Sequence, residues 1–120
     1  MKTGEAKLKD QVKALLAEHR LATVAKPLPD ALGYYNMPVP FGYGEPMLDF
    51  IGHYRGFFFS IETKDVGKKP TSRQDLTIAA MRAGDGVAIW ADNIDVIRTK
   101  FEFFTQRVDF YCTLFIPTHP

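Results

Sequence analysis

The amino-acid sequence predicts an α/β fold in which helices flank a mixed sheet of about four strands. Helix signals, either apolar residues at helical spacing or capping residues, occur near the N-terminus, after Thr71 and after Asp92. Between them lie short apolar runs rich in β-branched and aromatic residues, which are typical of strands. With 120 residues and no detectable repeat, we expect one domain spanning residues 1–120.

The composition is that of a compact globular domain, with 46% hydrophobic and 24% charged residues. Cys112 is the one cysteine in the sequence, which excludes an internal disulfide and fits a reducing compartment. The N-terminus runs directly into charged residues, and no apolar run reaches the roughly 18 residues that a membrane span needs. We therefore expect a cytoplasmic protein without a membrane partner.

The N-terminal half contains one helix and a connector. Residues 5–19 place Leu8, Val12, Leu15 and Leu16 at the spacing of an amphipathic helix. Residues 26–46 carry five prolines and three glycines, which predicts a loop-rich connector with one short edge strand at residues 34–39.

The middle of the chain predicts a β-hairpin followed by a helix. Residues 49–52 and 57–64 are strand-like and flank a turn whose Gly56 suits tight backbone geometry. After a basic loop, Thr71 can cap a helix with Gln74 as its capping-box partner, and this helix runs to Arg82 and ends at Gly84.

The C-terminal third predicts a strand, a helix and a second strand. Residues 87–91 form a short buried-strand pattern, and Asp92 can cap a helix through about Thr105. Apolar residues alternate in residues 108–116, which predicts a terminal strand whose apolar face covers the core or a partner subunit.

The hairpin brings three charged residues together by simple counting. If the two loop residues are Arg55 and Gly56, paired positions sum to 111, so Asp49 lies opposite Glu62. Opposite residues share a face of the sheet, and Lys64, two positions beyond Glu62, shares that face too. The sequence therefore predicts one cluster of Asp49, Glu62 and Lys64.

This cluster has the chemistry of a metal site for phosphodiester hydrolysis. Two adjacent carboxylates repel each other unless a cation lies between them, and hard oxygen ligands suit Mg²⁺ or Mn²⁺ with its retained waters. An ammonium at Lys64 can orient or help to deprotonate an attacking water and can offset charge on the phosphate.

The spacing Asp-x₁₂-Glu-x-Lys resembles the PD-(D/E)XK nuclease superfamily, and residues 44–74 resemble its VRR-NUC family of phage and bacterial nucleases. The matching segments are Asp-Phe-Ile-Gly, Tyr-Arg-Gly, Ile-Glu-Thr-Lys and Gly-Lys-Lys-Pro-Thr-x-x-Gln, in the expected order. Leu48 stands where the motif usually has proline. The resemblance covers residue 5 to about residue 90.

The resemblance implies a restriction-endonuclease-like core and a metal-dependent endonuclease that acts on branched, flapped or junction DNA, often as a homodimer in a bacterial or phage-infected cell. It implies a catalytic set and a metal-binding set. The catalytic residues are Asp49, Glu62, Lys64 and Gln74, and the metal ligands are Asp49, Glu62, Thr63 and Glu5.

Several of these residues have a second interpretation that the sequence leaves open. Glu5 in the first turn of a helix also favours the helix dipole, and Gln74 also completes a capping box. The net charge of +1 does not indicate a polyanion partner, so DNA binding depends on a local basic loop. The cations of this loop, which contact phosphates or are merely solvated, are Lys68, Lys69 and Arg73.

Other candidates carry less weight. Pro29-Asp30 also spells the start of the motif, but a turn suits it better. Four tyrosines, more commonly half-buried core residues, could stack on bases: Tyr34, Tyr35, Tyr43 and Tyr54. The alternative function is an inert DNA-binding or assembly module on the same fold. A nucleotide-metabolising hydrolase ranks lower because the sequence has no Gly-rich phosphate loop.

Overall fold

The computed structural model describes residues 3–24, 31–36, 48–84 and 86–115. The elements are α1 (Gly4–Val24), β1 (Leu32–Asn36), β2 (Phe50–Tyr54), β3 (Phe57–Thr63), α2 (Ser72–Ala83), β4 (Val87–Ala91) and α3 (Ile94–Phe115). The strands form one sheet in the order β1-β2-β3-β4. β1, β2 and β3 are antiparallel, whereas β4 is parallel to β3. The predicted mixed four-stranded α/β fold is confirmed.

The hairpin of β2 and β3 has the predicted register. Tyr54 pairs with Phe57 and Ile51 with Ser60, so the paired numbers sum to 111. Arg55 and Gly56 form the two-residue turn with φ values of 51° and 88°. Positive φ at both central residues is typical of the type I′ turn, whose twist matches that of the flanking strands. The turn therefore fixes which side chains of the two strands share a face.

The helices cover both faces of the sheet. α1 and α3 bury the larger core against one face, around Phe59, Ile61 and Phe101. α2 packs on the other face through Ile78, which contacts Ala88 of β4. Successive side chains of β3 alternate between these cores, so Ser60 and Glu62 point towards the α2 side. This alternation aims the predicted catalytic glutamate away from the large core.

Several sequence predictions are confirmed in detail. The apolar stripe of α1 is buried, β4 has the predicted bounds, and Thr71 and Gln74 form the predicted capping box, with Gly84 ending α2. β1 is the predicted edge strand but begins at Leu32 rather than at residue 34. The rest of the predicted strand, residues 37–39, lies outside the described residues.

The predicted strand at residues 108–116 is wrong, because α3 continues to Phe115. Phe101, Phe104, Val108 and Cys112 are buried at helical spacing, and no glycine or proline interrupts the segment. The alternating pattern arises because the exposed face of α3 is also apolar, including Phe110. The segment is helical because its buried residues continue the apolar stripe of the preceding turns of α3.

The predicted cap of α3 is also wrong by one position. The side-chain oxygen of Asn93 accepts a hydrogen bond of 3.0 Å from the backbone N–H of Val96, so Asn93 supplies the capping bond. Asp92 instead accepts a 2.9 Å hydrogen bond from the backbone N–H of Gly67. Asp92 thus joins the start of α3 to the loop that follows β3.

The turn end of the hairpin is tied to α3 by one carboxylate. Asp109 accepts hydrogen bonds from the Tyr54 hydroxyl at 2.7 Å and from the Arg55 guanidinium at 2.9 Å. Burial of the phenol and its bond to Asp109 raise the pKa of Tyr54.

Within the described residues, no helix combines the length and apolarity that a bilayer crossing requires.

Candidate metal centre

The predicted cluster lies at the end of the sheet opposite the hairpin turn. Asp49 directly precedes β2, while Glu62 and Thr63 are the last residues of β3 and Lys64 follows them. The N-terminal turn of α1 brings Glu5 to the same end, and the first turn of α2 brings Gln74. Two helices, α1 and α2, therefore converge on the pair of strands that the sequence predicted.

Glu62 is the centre of the cluster and is only 2% exposed. Its Oε2 accepts a 3.1 Å hydrogen bond from the backbone N–H of Asp49, and its Oε1 accepts a 2.7 Å bond from the Gln74 side-chain amide. The Lys64 ammonium lies 3.8 Å from Oε1. These contacts hold the Glu62 carboxylate in one orientation.

Asp49 is oriented by Thr63. Its Oδ2 accepts hydrogen bonds from the Thr63 backbone N–H at 2.9 Å and from the Thr63 hydroxyl at 2.6 Å. The Thr63 side chain is fully buried and therefore positions a carboxylate, while its predicted role as a metal ligand stays a prediction. Oδ1 of Asp49 is left facing the cluster.

Glu5, Asp49 and Glu62 each offer one carboxylate oxygen, and these oxygens lie within 4.8 Å of one another. Burial raises the pKa of Glu62 to about 7, and the charges of Asp49 and Glu5 contribute to the rise. The Asp49 N–H and the Lys64 ammonium oppose it. Three hard oxygen donors with uncompensated negative charge fit a Mg²⁺ or Mn²⁺ ion.

Gln74 serves both of its possible roles at once. Its side-chain oxygen accepts a 2.9 Å hydrogen bond from the backbone N–H of Thr71. Its backbone N–H donates to the Thr71 hydroxyl at 3.2 Å, which completes the capping box. Its amide nitrogen is then left to donate to Glu62. The cap of α2 thus fixes the amide that orients the buried carboxylate.

A second lysine lies at the cluster and was not predicted from the sequence. The Lys9 ammonium is 3.6 Å from Oδ1 of Asp49 and 3.9 Å from Oε1 of Glu5. The signal was available, because Lys9 follows Glu5 by one helical turn and so lies on the same face of α1. The sequence pattern of α1 predicts a buried apolar stripe and a solvated basic face, so it does not single out Lys9.

The predicted DNA-binding cations are exposed. Lys68, Lys69 and Arg73 lie on the loop after Lys64 and on the first turn of α2. Gly67 has a φ of 79°, and Asp92 holds its N–H, which lowers the pKa of the Asp92 carboxyl. The loop therefore has a fixed backbone anchor and solvent-facing cations.

The predicted base-stacking role of the tyrosines gains no support from the two that the structure describes fully. Tyr54 is buried and bonded to Asp109, so stacking on a base is wrong for this residue. The Tyr34 ring is half-buried with the Arg20 guanidinium 4.4 Å from its centre. Tyr43, the Tyr35 side chain and the alternative motif at residues 29–30 lie outside the described residues.

A comparison with solved structures finds a VRR_NUC domain with a TM-score of 0.53, covering 97% of this chain and 100% of that domain. This chain has the VRR-NUC fold. Sequence identity with that domain is 14%, so the likeness extends to the fold alone. No family model and no curated protein matches the sequence. The chemistry of the site therefore rests on the contacts of its own residues.

Proposed function

We propose that the protein is a metal-dependent endonuclease that hydrolyses phosphodiester bonds in DNA. The observation that carries the proposal is the convergence of three carboxylates on one point, with the Lys64 ammonium beside the most buried of them. The match in fold to a VRR_NUC domain supports the same proposal, and the cluster lies where β2 begins and β3 ends.

Glu5, Asp49 and Glu62 would hold Mg²⁺ or Mn²⁺, and Thr63, which directly follows Glu62 in the chain, would complete the predicted ligand set. When bound, such an ion lowers the pKa of a water and offsets the charge that develops on the phosphate. The protein keeps the donors in place before substrate arrives, because Thr63 orients Asp49 and Gln74 orients Glu62. Pre-oriented donors need no rearrangement during the reaction.

Lys64 acts on the water and the phosphate. Its side chain is 11% exposed, so its ammonium is confined near Glu62 while one side remains open to substrate. A confined ammonium can orient the attacking water by a hydrogen bond and stabilise the charge on the phosphate in the transition state. Lys64 is therefore the catalytic residue of the proposal, and Gln74 is a positioning residue.

Substrate contact beyond the site falls to the basic loop. Lys68, Lys69 and Arg73 are exposed and follow Lys64 in the chain, so they can contact phosphates next to the one being cut. From the resemblance of the sequence to VRR-NUC nucleases, we propose selectivity for branched, flap or junction DNA. On the same ground, we propose that the protein acts in the cytoplasm of a bacterial or phage-infected cell.

We also propose a homodimer, formed through the outward face of α3. Among the described side chains of α3, four large apolar ones are between 44% and 66% exposed, and a groove of about 480 Å³ lies beside two of them, Phe103 and Tyr111. The other two are Phe110 and Leu114. A symmetric dimer would carry two sites for paired cuts. Sedimentation velocity should give a dimer for the wild type and a monomer for Leu114→Glu, and a wild-type monomer would overturn this part.

The test of the function is cleavage of labelled duplex, flap and four-way-junction DNA, and of single-stranded RNA, with Mg²⁺, Mn²⁺ or EDTA. We expect metal-dependent cutting of DNA that is lost in Lys64→Met and kept in Lys13→Met, an exposed lysine of α1. Tight binding without cutting under any metal would favour the inert-module function instead.

A further inference from the structure

The two lysines of the site have different surroundings. Lys64 lies 3.8 Å from Glu62 and is 11% exposed, whereas Lys9 lies near Glu5 and Asp49 and is 35% exposed. Oδ2 of Asp49 accepts both hydrogen bonds from Thr63, so Lys9 faces Oδ1, the oxygen that is left for a ligand. The Lys9 ammonium thus approaches two of the three carboxylates that would hold a metal.

A cation between these oxygens answers an electrostatic need of the metal-free protein. The carboxylates of Glu5, Asp49 and Glu62 repel one another, because their oxygens lie within 4.8 Å of one another. Lys64 offsets part of this charge at Glu62. Lys9 is placed to offset the part at Glu5 and Asp49, at distances of 3.9 and 3.6 Å.

We propose that the Lys9 ammonium is the counter-ion of the metal-free site and that a divalent cation displaces it from Glu5 and Asp49. This inference rests on the proposed metal site. Mg²⁺ and Mn²⁺ require oxygen ligands at about 2.0–2.2 Å, and an ammonium at the same oxygens would be repelled by the ion. The flexible four-carbon stem of Lys9 reaches solvent, so the ammonium can leave without moving α1.

Competition by Lys9 gives a signature that a merely structural residue does not. If Lys9 only held Glu5 and Asp49 in place, its loss would weaken metal binding. If it competes with the metal, its loss tightens metal binding while destabilising the metal-free protein. Exposed ion pairs contribute about 1 kcal/mol or less, so we expect a change in metal affinity of about twofold to fivefold.

The experiment is calorimetric titration of Mn²⁺ into the wild type, Lys9→Met, Lys9→Arg and Lys13→Met. Lys13 is the matched control, because it is exposed on α1 one turn further from Glu5. We expect Lys9→Met to bind Mn²⁺ about twofold to fivefold more tightly, and both other variants to stay close to the wild type. Chemical denaturation in EDTA should show Lys9→Met less stable than Lys13→Met.

The outcomes separate this inference from the proposed function. No Mn²⁺ binding by the wild type would overturn the metal site and the inference together. Equal affinities of the wild type and Lys9→Met, or weaker binding by Lys9→Met, would overturn the counter-ion role and leave the metal site standing. A gain of affinity in Lys13→Met as large as in Lys9→Met would also overturn it, since the effect would then be general charge.

Discussion

The two ends of the β2–β3 hairpin both carry carboxylates, but only at the turn end does one cation match each carboxylate among the described residues. At the turn end, Asp109 receives hydrogen bonds from Tyr54 and from the cation of Arg55. At the opposite end, Glu5, Asp49 and Glu62 share two lysines, and the nearest ammonium distances are 3.6–3.9 Å.

The difference separates a carboxylate that one cation balances from carboxylates that outnumber the lysines near them. Asp109 joins α3 to the hairpin by accepting from the Tyr54 hydroxyl and pairing with the Arg55 guanidinium. Glu62 is buried beside another acid, and its pKa is raised to about 7 because of that burial and that charge. Perturbed acids of this kind cluster at functional sites, where a cation restores the balance.

The largest effect we expect is the loss of cleavage when a residue is changed at the unmatched end, where three carboxylates share two lysines. Lys64→Met should lower the cleavage rate by about 10²–10⁴, because the positioned ammonium is removed. Tyr54→Phe, a change at the matched end, should cut at the wild-type rate below its melting temperature. Single-turnover rates on one labelled DNA would measure both. Equal losses in the two variants would remove the functional distinction between the ends.

A substitution between the two ends should damage both. A Cβ at position 52 would clash with the backbone oxygen of Gly33 and with the Phe59 ring, so Gly52→Ala should cost about 3 kcal/mol of unfolding free energy. Gly84→Ala is the control, because its Cβ would meet only ordinary contacts near 3.8 Å. Urea denaturation compares them. A wild-type midpoint for Gly52→Ala would show that β1 and β2 are not packed this closely.

The pH dependence of stability should reveal the unmatched charge. Because the folded-state pKa of Glu62 is raised from 4.5 to about 7, its contribution is fully present below pH 4.5 and is lost as pH rises through 7. In EDTA, the unfolding free energy of the wild type relative to Glu62→Gln should fall by about 2 kcal/mol between pH 5 and pH 8. A difference that does not change with pH would show that folding does not raise the pKa of Glu62.

The smallest effect concerns the hydrogen bond at the matched end. Tyr54→Phe should cost about 1 kcal/mol, because Asp109 keeps its bond to Arg55 while one hydrogen bond is lost. Asp109→Ala should cost more, since it leaves the buried Tyr54 hydroxyl without this acceptor. Thermal denaturation of the two variants and of the double variant gives the coupling energy. Additive costs would mean that Asp109 and Tyr54 do not interact.

The sequence was sufficient where short-range geometry determines the outcome. A two-residue turn fixes the register of a hairpin, so the meeting of Asp49 and Glu62 followed from counting. The capping box of Thr71 and Gln74 likewise follows from spacing alone. The bond from Gln74 to Glu62 required the position of α2 on the sheet, which spacing does not give.

The sequence was insufficient where two periodicities fitted the same residues. Residues 108–116 alternate as a strand does, but the buried positions Val108 and Cys112 extend the stripe of α3. Only the sheet and α1, which supply the other side of the core, decide between the two patterns. Lys9 was missed for a related reason, because the approach of α1 to Asp49 is a tertiary contact.

The proposed function depends on a divalent-cation site at Asp49 and Glu62, and the decisive experiment is unfolding of the wild type and Asp49→Asn with and without Mn²⁺. The asparagine oxygen can keep both bonds to Thr63, so the variant should fold. Mn²⁺ at one hundred times its dissociation constant should stabilise the wild type by about 2.7 kcal/mol and leave Asp49→Asn unchanged. Equal stabilisation of both proteins, or of neither, would contradict the claim.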